Sequence, residues 1–341
     1  MIPLDGPFYD QLQPGDALPV QPAVTIDSGM AALYQSMVGE RLALVLDAPL
    51  CAAVTGSDRR LVSPGLVMQL SIGQSTTVSR RAIANLFYRG IRLSSQVYMD
   101  DTVETRVTVA AMSDASARPD RAPRGKVLVD ITTSVADAAG EARTAIEYQR
   151  CPMLPLAGDK LPDHTAELGR VPDLDIESYA ELVPAWNLAP LGPGAPWEVG
   201  QAISDPTRDV VDMATGMVRL THNLAMIHRD TEASPYDRRL VYGGHVVGLA
   251  QASLSRVVPG LATVLGWQSC NHLGPAFEDD LLEFEHTLVG SLAVDGGRVL
   301  AVQVIGSALR ASHGADGGGA GALTPERILD WTVVVLAPDV P

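Results

Sequence analysis

Two apolar runs set the rhythm of the chain. In the second, Val246, Val247, Leu249, Ala250, Leu254, Val257 and Val258 occupy most of a helical circumference, which predicts a helix buried nearly all round. Leu66 to Val78 is the matching apolar segment of the first half and reads as the same buried helix. The second run follows Gly243-Gly244 and ends at Pro259-Gly260, which are helix start and stop signals. Downstream of each run the pattern changes to period two. Thr102 to Val109 and Leu282 to Leu288 alternate apolar and polar positions, the signature of strands with one face in water. Two further strands are expected in each half, Lys126 to Val135 with Thr144 to Arg150, and Arg298 to Leu309 with Ile328 to Leu336. Their links, Asp137 to Glu141 and the glycine-rich Gly314 to Gly321, read as loops, the second a surface excursion because a glycine run loses much entropy on ordering. Upstream, Met30 to Val38 and Val210 to Leu220 read as helical or mixed, after turns at Gln13-Pro14-Gly15-Asp16 and Trp197-Glu198-Val199-Gly200.

The matching order of elements points to a duplication. At an offset of 179, Arg60-Leu61-Val62 falls on Arg239-Leu240-Val241, Gly65 on Gly244, Tyr98 on Phe277, Asp100-Asp101 on Asp279-Asp280 and Glu104 on Glu283. One match would be noise; a shared register without gaps marks two copies of one unit. The reading is an α+β chain of two tandem repeats, residues 1–151 and 197–341, each with a central buried helix wrapped by an antiparallel sheet. Residues 152–196, punctuated by Pro184, Pro190, Pro193 and Pro196, form a long connector. That length lets one copy pack beside the other as a pseudo-dimer with the sheets joined edge to edge.

Composition narrows the classes of function. The 341 residues carry 25 Lys and Arg against 40 Asp and Glu, a formal charge of −15. Nucleic acid and anionic membrane surfaces both demand a basic face, so neither is an expected partner. A local rim of Arg80, Arg81, Arg238 and Arg239 still leaves room for an anionic small ligand. Cys51, Cys151 and Cys270 are odd in number and widely spaced, which suggests neither a disulfide framework nor a metal site, and fits a reducing cytoplasm. No apolar run reaches the ~20 residues of a membrane span, and the first residues lack the pattern of a signal peptide.

Candidate chemistry concentrates in Thr221 to His228 and in Arg239 to Ala250, where one loop delivers a histidine and a second enters the buried helix through paired glycines. His228 is a candidate acid–base group because imidazole titrates near neutrality. The N–H groups around Gly243 and Gly244 lie at a helix N-terminus, a natural site for developing negative charge. Tyr242 and His245 flank them as candidate substrate contacts, and Asn271 and His272 follow in what reads as a loop beside the site. Asp100-Asp101 and Asp279-Asp280 invite a carboxylate-pair mechanism, but their place before a strand in both copies marks them as turn residues.

These residues resemble the double-hotdog MaoC-like hydratases. That family carries Asp-x-Asn-Pro-aliphatic-His followed by a glycine opening the buried helix. Here Ile227 and His228 keep the spacing, Asn223 stands where the family has aspartate, and Ala225-Met226 replace Asn-Pro. The segment Arg239-Leu240-Val241-Tyr242-Gly243-Gly244-His245 is most similar to the branch containing mesaconyl-CoA and methylmalyl-CoA hydratases. The resemblance implies a double hotdog that binds an acyl or enoyl thioester of coenzyme A or a carrier protein. It further implies reversible hydration, with no cofactor or metal, His228 and Asn223 at the reacting centre, and a second pairing into a homodimer compatible with the fold. Its first copy has Leu46-Asp47-Ala48-Pro49-Leu50-Cys51 and no histidine at the equivalent loop, and is read as a degenerate site left to hold an acyl tail. An amide cannot exchange a proton at neutral pH. Three readings of Asn223 follow: His228 works alone, Asp230 or Glu232 substitutes, or the site binds thioesters without hydrating them, as a disabled acyl-CoA-binding protein or dehydratase-complex partner. A hotdog thioesterase is a further alternative.

Overall fold

Each apolar run forms the helix its pattern predicts, and the two helices meet. The computed structural model describes residues 6–115, 122–311 and 323–340; the glycine-rich loop expected at 314–321 lies outside the described residues. The N-terminal half runs β1 (Val24–Thr25), α1 (Ser28–Val38), α2 (Ala43–Leu46), α3 (Ala48–Thr55), α4 (Pro64–Gln74), β2 (Ala84–Leu93), β3 (Thr102–Asp114), β4 (Arg124–Ala136) and β5 (Ala142–Pro155). The connector holds a short α5 (Ile176–Ala180). The C-terminal half follows with β6 (Ala202–Ser204), β7 (Asp209–Val210), α6 (Ala214–Leu220), α7 (Gly243–Val257), β8 (Thr263–His272), β9 (Leu281–Val294), β10 (Gly297–Ala311) and β11 (Leu323–Pro338). Because β5 continues to Pro155, the boundary expected at 151 falls inside its last strand.

Every residue of α4 from Gly65 to Gln74 is buried, as the absence of a polar stripe requires. Its start is closed by Ser63, whose Oγ accepts from the N–H groups of Gly65 and Leu66, with Pro64 pre-set for the first turn. α7 begins differently, since no side chain caps it. The helices pack through their N-terminal glycines. Gln69 of α4 donates to the Gly244 carbonyl at 2.9 Å, and a Cβ on Gly244 would lie 2.0 Å from Gln69 Oε1. Reciprocally, a Cβ on Gly65 would lie 2.7 Å from Gln251 Nε2 and 2.4 Å from the Tyr34 hydroxyl.

The strands form one antiparallel sheet in the order β1-β3-β4-β5-β2-β8-β11-β10-β9-β6, with β7 beside β9. The halves join through β2 and β8, where Tyr88 pairs with Cys270 and Ile91 with Trp267. This is the α+β double-hotdog arrangement, the sheets meeting edge to edge. Alternate residues of β11 serve two cores: Val333 and Val335 face the helices, while Val334 and Leu336 pack with Tyr179 and Leu188 of the connector and with Cys51 and Val54 of α3.

The duplication is visible in single hydrogen bonds. Val62 N–H donates to Val97 O and Val241 N–H to Ala276 O, each at 2.9 Å, and both pairs are related by the offset of 179. Asp100 and Asp279 both adopt left-handed backbone, at φ 70° and 72°. The next residues, Asp101 and Asp280, accept from the N–H groups of Tyr98 and Phe277 and pair with Arg59 and Arg310. The acid pairs are turn-makers. Among the described residues no helix is long and apolar enough to cross a membrane, and all three cysteines are buried and unpaired.

Candidate active site

The loop bearing the histidine is built as a helix ending. α6 closes with Asn223 N–H donating to Val218 O and His222 N–H to Arg219 O, while His222 takes left-handed backbone at φ 57°. That is a Schellman ending with histidine in the place glycine usually fills. Asn223 then folds back, its Oδ1 accepting from Ala225 N–H at 2.9 Å, and its carbonyl receives the Arg229 guanidinium. A single 3-10 turn, Met226–His228, ends the loop. The other copy holds it in place. Leu224 N–H donates to Thr76 Oγ1 at 2.8 Å and Met226 N–H to Arg80 O at 2.9 Å, and α4 approaches so closely at Gly73 that a Cβ there would sit 1.7 Å from Thr221 O.

Beside this loop lies a cavity of about 350 Å³ between the halves. Asn223, His228, Tyr242 and Gly243 line it from the C-terminal half, and Thr76, Ser79, Asn85, Tyr88 and Arg150 from the N-terminal half. No carboxylate lines it among the described residues. Burial pushes the His228 pKa down to about 4, with Arg229 adding repulsion of a second positive charge. Its Nδ1 lies 2.9 Å from the Leu240 carbonyl. A carbonyl only accepts, so Nδ1 carries the proton and Nε2 keeps its lone pair. Tyr242, with its ring 5.6 Å from that of His228, has a buried hydroxyl without a hydrogen-bond partner.

Not every expected residue arrives. Gly244 and His245 do not line the cavity: a helix turns about 100° per residue, so only Gly243 of this trio faces it. Gly244 serves the contact with α4, and His245 is fully buried beside Met37 of α1. Asp230 and Glu232 are exposed and outside the lining, which removes them as substitutes for the missing aspartate. Asn271 and His272 belong to the end of β8 rather than to a loop. His272 does reach the cavity, its pKa pushed down to about 4 by burial and by His228 nearby. Its ring lies against Gly243, where a Cβ would come within 2.5 Å of Cε1. At the helix start of the N-terminal copy, Gly65 meets Tyr34 and Gln251 as its counterpart Gly244 meets Gln69 and Tyr242, while β2 and β5 of that copy wall the shared cavity. Among the described residues no cluster of three His, Cys, Asp or Glu side chains could hold a metal ion.

Two buried helices in one seamed sheet, with a histidine loop at the uncapped start of the second, define a double hotdog with a cavity between its halves. No family model matches the sequence. A solved double-hotdog protein of Mycobacterium tuberculosis, described as conserved, hypothetical and essential for survival during infection, is 36% identical over 98% of this chain and 99% of its own, with a TM-score of 0.83. The β-methylmalyl-CoA dehydratase of Chloroflexus aurantiacus is 27% identical, covering 98% of this chain and 97% of its own length. The mesaconyl-CoA hydratase of Cereibacter sphaeroides is 26% identical over 81% of each. The chain belongs to the MaoC-like double-hotdog family.

Proposed function

We propose that the protein adds water reversibly across the double bond of a 2-enoyl thioester of coenzyme A, with His228 as the proton-transfer group. The observation that carries this is the fixed, neutral tautomer of His228 in a cavity that no carboxylate lines among the described residues, next to an uncapped helix start. In hydration, Nε2 takes a proton from water as the water oxygen bonds to Cβ of the enoyl group. The π electrons move towards Cα and the thioester oxygen. The N–H at Gly243, backed by the α7 dipole, meets that developing charge. The imidazolium then returns its proton to Cα, and dehydration runs the same steps backwards. Asn223 has its Oδ1 committed to Ala225, so the amide NH2 is the end with protons to donate, suited to orienting water and not to taking its proton. The related dehydratase and hydratase, named for CoA thioesters, support this reading.

The test follows loss of enoyl absorbance with crotonyl-CoA and with branched and carboxylated enoyl-CoA thioesters, while free thiol is assayed in parallel. Hydration by the native chain without thiol release is the expected result. Thiol release would indicate a thioesterase. No turnover by the native chain, with turnover gained in Asn223→Asp, would identify a disabled hydratase that only binds thioesters.

A further inference from the structure

One histidine of the cavity has no part in the proton transfer. His272 ends β8, and its ring lies over the bare backbone of Gly243, where a Cβ would come 2.5 Å from Cε1, 2.6 Å from Nε2 and 2.9 Å from Nδ1. The ring is thus seated at the uncapped start of α7, in space that only glycine leaves free. Tyr88 of β2 meets it edge to face, with ring centroids 6.3 Å apart. Among the described residues the ring's one hydrogen-bonding neighbour is the Cys270 thiol, 4.0 Å from Nε2. Burial pushes the Cys270 pKa well up, so the thiol keeps a proton to offer Nε2, and the ring proton falls to Nδ1. His272 itself is neutral at pH 7, its pKa held at about 4 by burial and by His228. It enters the cavity as an N–H donor rather than as an acid.

The duplication isolates what this position is for. β2 and β8 coincide over their whole length at the offset of 179, so Leu93 ends β2 where His272 ends β8. The same offset sets Pro64 against Gly243. Proline has no N–H and leucine no polar side-chain atom, so the copy without the histidine loop lacks both donors, and its Leu93 packs into the core. The two donors are present together in one copy and absent together in the other, as partners on a single ligand atom would be.

We propose that the imidazole N–H of His272 and the backbone N–H of Gly243 together hold the thioester carbonyl oxygen, which makes His272 a second catalytic residue beside His228. This rests on the thioester reading above and adds a residue to it. The proton of His272 stays on its ring throughout. As the π electrons shift towards the thioester oxygen, two preorganised donors meet the charge instead of one. A neutral donor suits the place, because a second cation there would repel the imidazolium that forms on His228.

The test separates holding the oxygen from moving a proton. His272→Leu should lower kcat for crotonyl-CoA hydration about 100- to 1,000-fold, the cost of losing one oxyanion donor, with KM within about threefold of native. His272→Asn keeps an N–H but cannot exchange a proton at neutral pH, and should stay within about tenfold of native. Equal losses in the two variants would make His272 a proton carrier, and near-native turnover by His272→Leu would make it a packing residue; either result overturns the proposal. A second readout needs no turnover. Bound to His228→Gln, hexa-2,4-dienoyl-CoA should absorb at longer wavelength than in solution, because donors on its carbonyl draw charge along the conjugated chain. The shift should persist when His272→Asn is added and shrink by about half or more when His272→Leu is added, one of two donors being gone. This pattern of shifts without hydration of any enoyl thioester by the native chain would sink the hydratase reading and leave the donor pair standing. Hydration with a shift indifferent to His272→Leu would leave the hydratase reading standing and overturn the proposal. Should His272→Leu fail to fold, the ring N–H resonance of native His272, identified by its absence in His272→Asn, should move downfield on addition of butyryl-CoA, and an unmoved resonance overturns the proposal.

Discussion

Gly73→Ala tests whether the N-terminal copy positions the histidine loop. The added Cβ would lie 1.7 Å from the Thr221 carbonyl oxygen and 2.7 Å from its carbon. Carbon and oxygen settle no closer than about 3.3 Å, so α4 and the loop must part by roughly 1.5 Å. The obstacle is backbone and cannot rotate away. Thr221 stands two residues before Asn223 and its own hydroxyl is tied to Met217 O at 2.8 Å, so the shift passes along the Schellman ending into the site. Overpacking of this kind costs about 1–3 kcal/mol, a fall of a few degrees in Tm. Misplacing reacting groups by about 1 Å costs about 100-fold in rate. The expected variant is folded, slightly less stable, and about 100-fold lower in kcat/KM for enoyl-CoA hydration. Ile72→Val, at the preceding residue, removes one buried methylene for about 0.5–1.5 kcal/mol without approaching the loop, and should stay within about threefold of native. Gly73→Ala with near-native kcat/KM, or Ile72→Val with an equal loss, would refute the reasoning.

Acid should unfold the protein early. Burial holds His228, His245, His272 and His286 at pKa about 4, against about 6.5 in the unfolded chain. Between these values the unfolded state binds more protons, so stability is complete above about pH 6.5 and falls as pH drops towards 4, by about 1–2 kcal/mol for each histidine at pH 5. Urea midpoints at pH 7 and pH 5 measure this, and equal midpoints would contradict it. His222→Val puts a β-branched residue in left-handed backbone and should cost about 1–2 kcal/mol, whereas His222→Gly should fold normally; thermal melts of the two variants separate backbone strain from loss of the ring.

The parts of the fold that were legible are those where a single period dominates. α7 is legible from its apolar circumference, α4 from its matching place in the repeat, and β3 and β9 from alternation. β2 and β8 did not. Thr263 to Trp267 is buried on both faces at the seam, so it shows no alternation, and Gly266 and Gln268 interrupt its apolar run. Missing β8 turned His272 into a loop residue. In the site, His228 was readable because its loop and helix are neighbours in sequence. Arg150, Thr76 and Ser79 reach the cavity only through the pairing of the halves, which no local pattern encodes. Gly244 and His245 failed for the opposite reason: adjacency in sequence suggested a shared face, and the helix turned them away.

The central claim is that neutral His228 moves the proton. Its most direct measurement is the rate of enoyl-CoA hydration by His228→Gln beside the native chain, with thioester binding and Tm measured on the same samples. Glutamine keeps a polar side chain but cannot take a proton, and the account predicts a loss of about 100- to 10,000-fold in kcat with thioester affinity retained. A variant that binds the thioester and turns it over within about tenfold of native would contradict it.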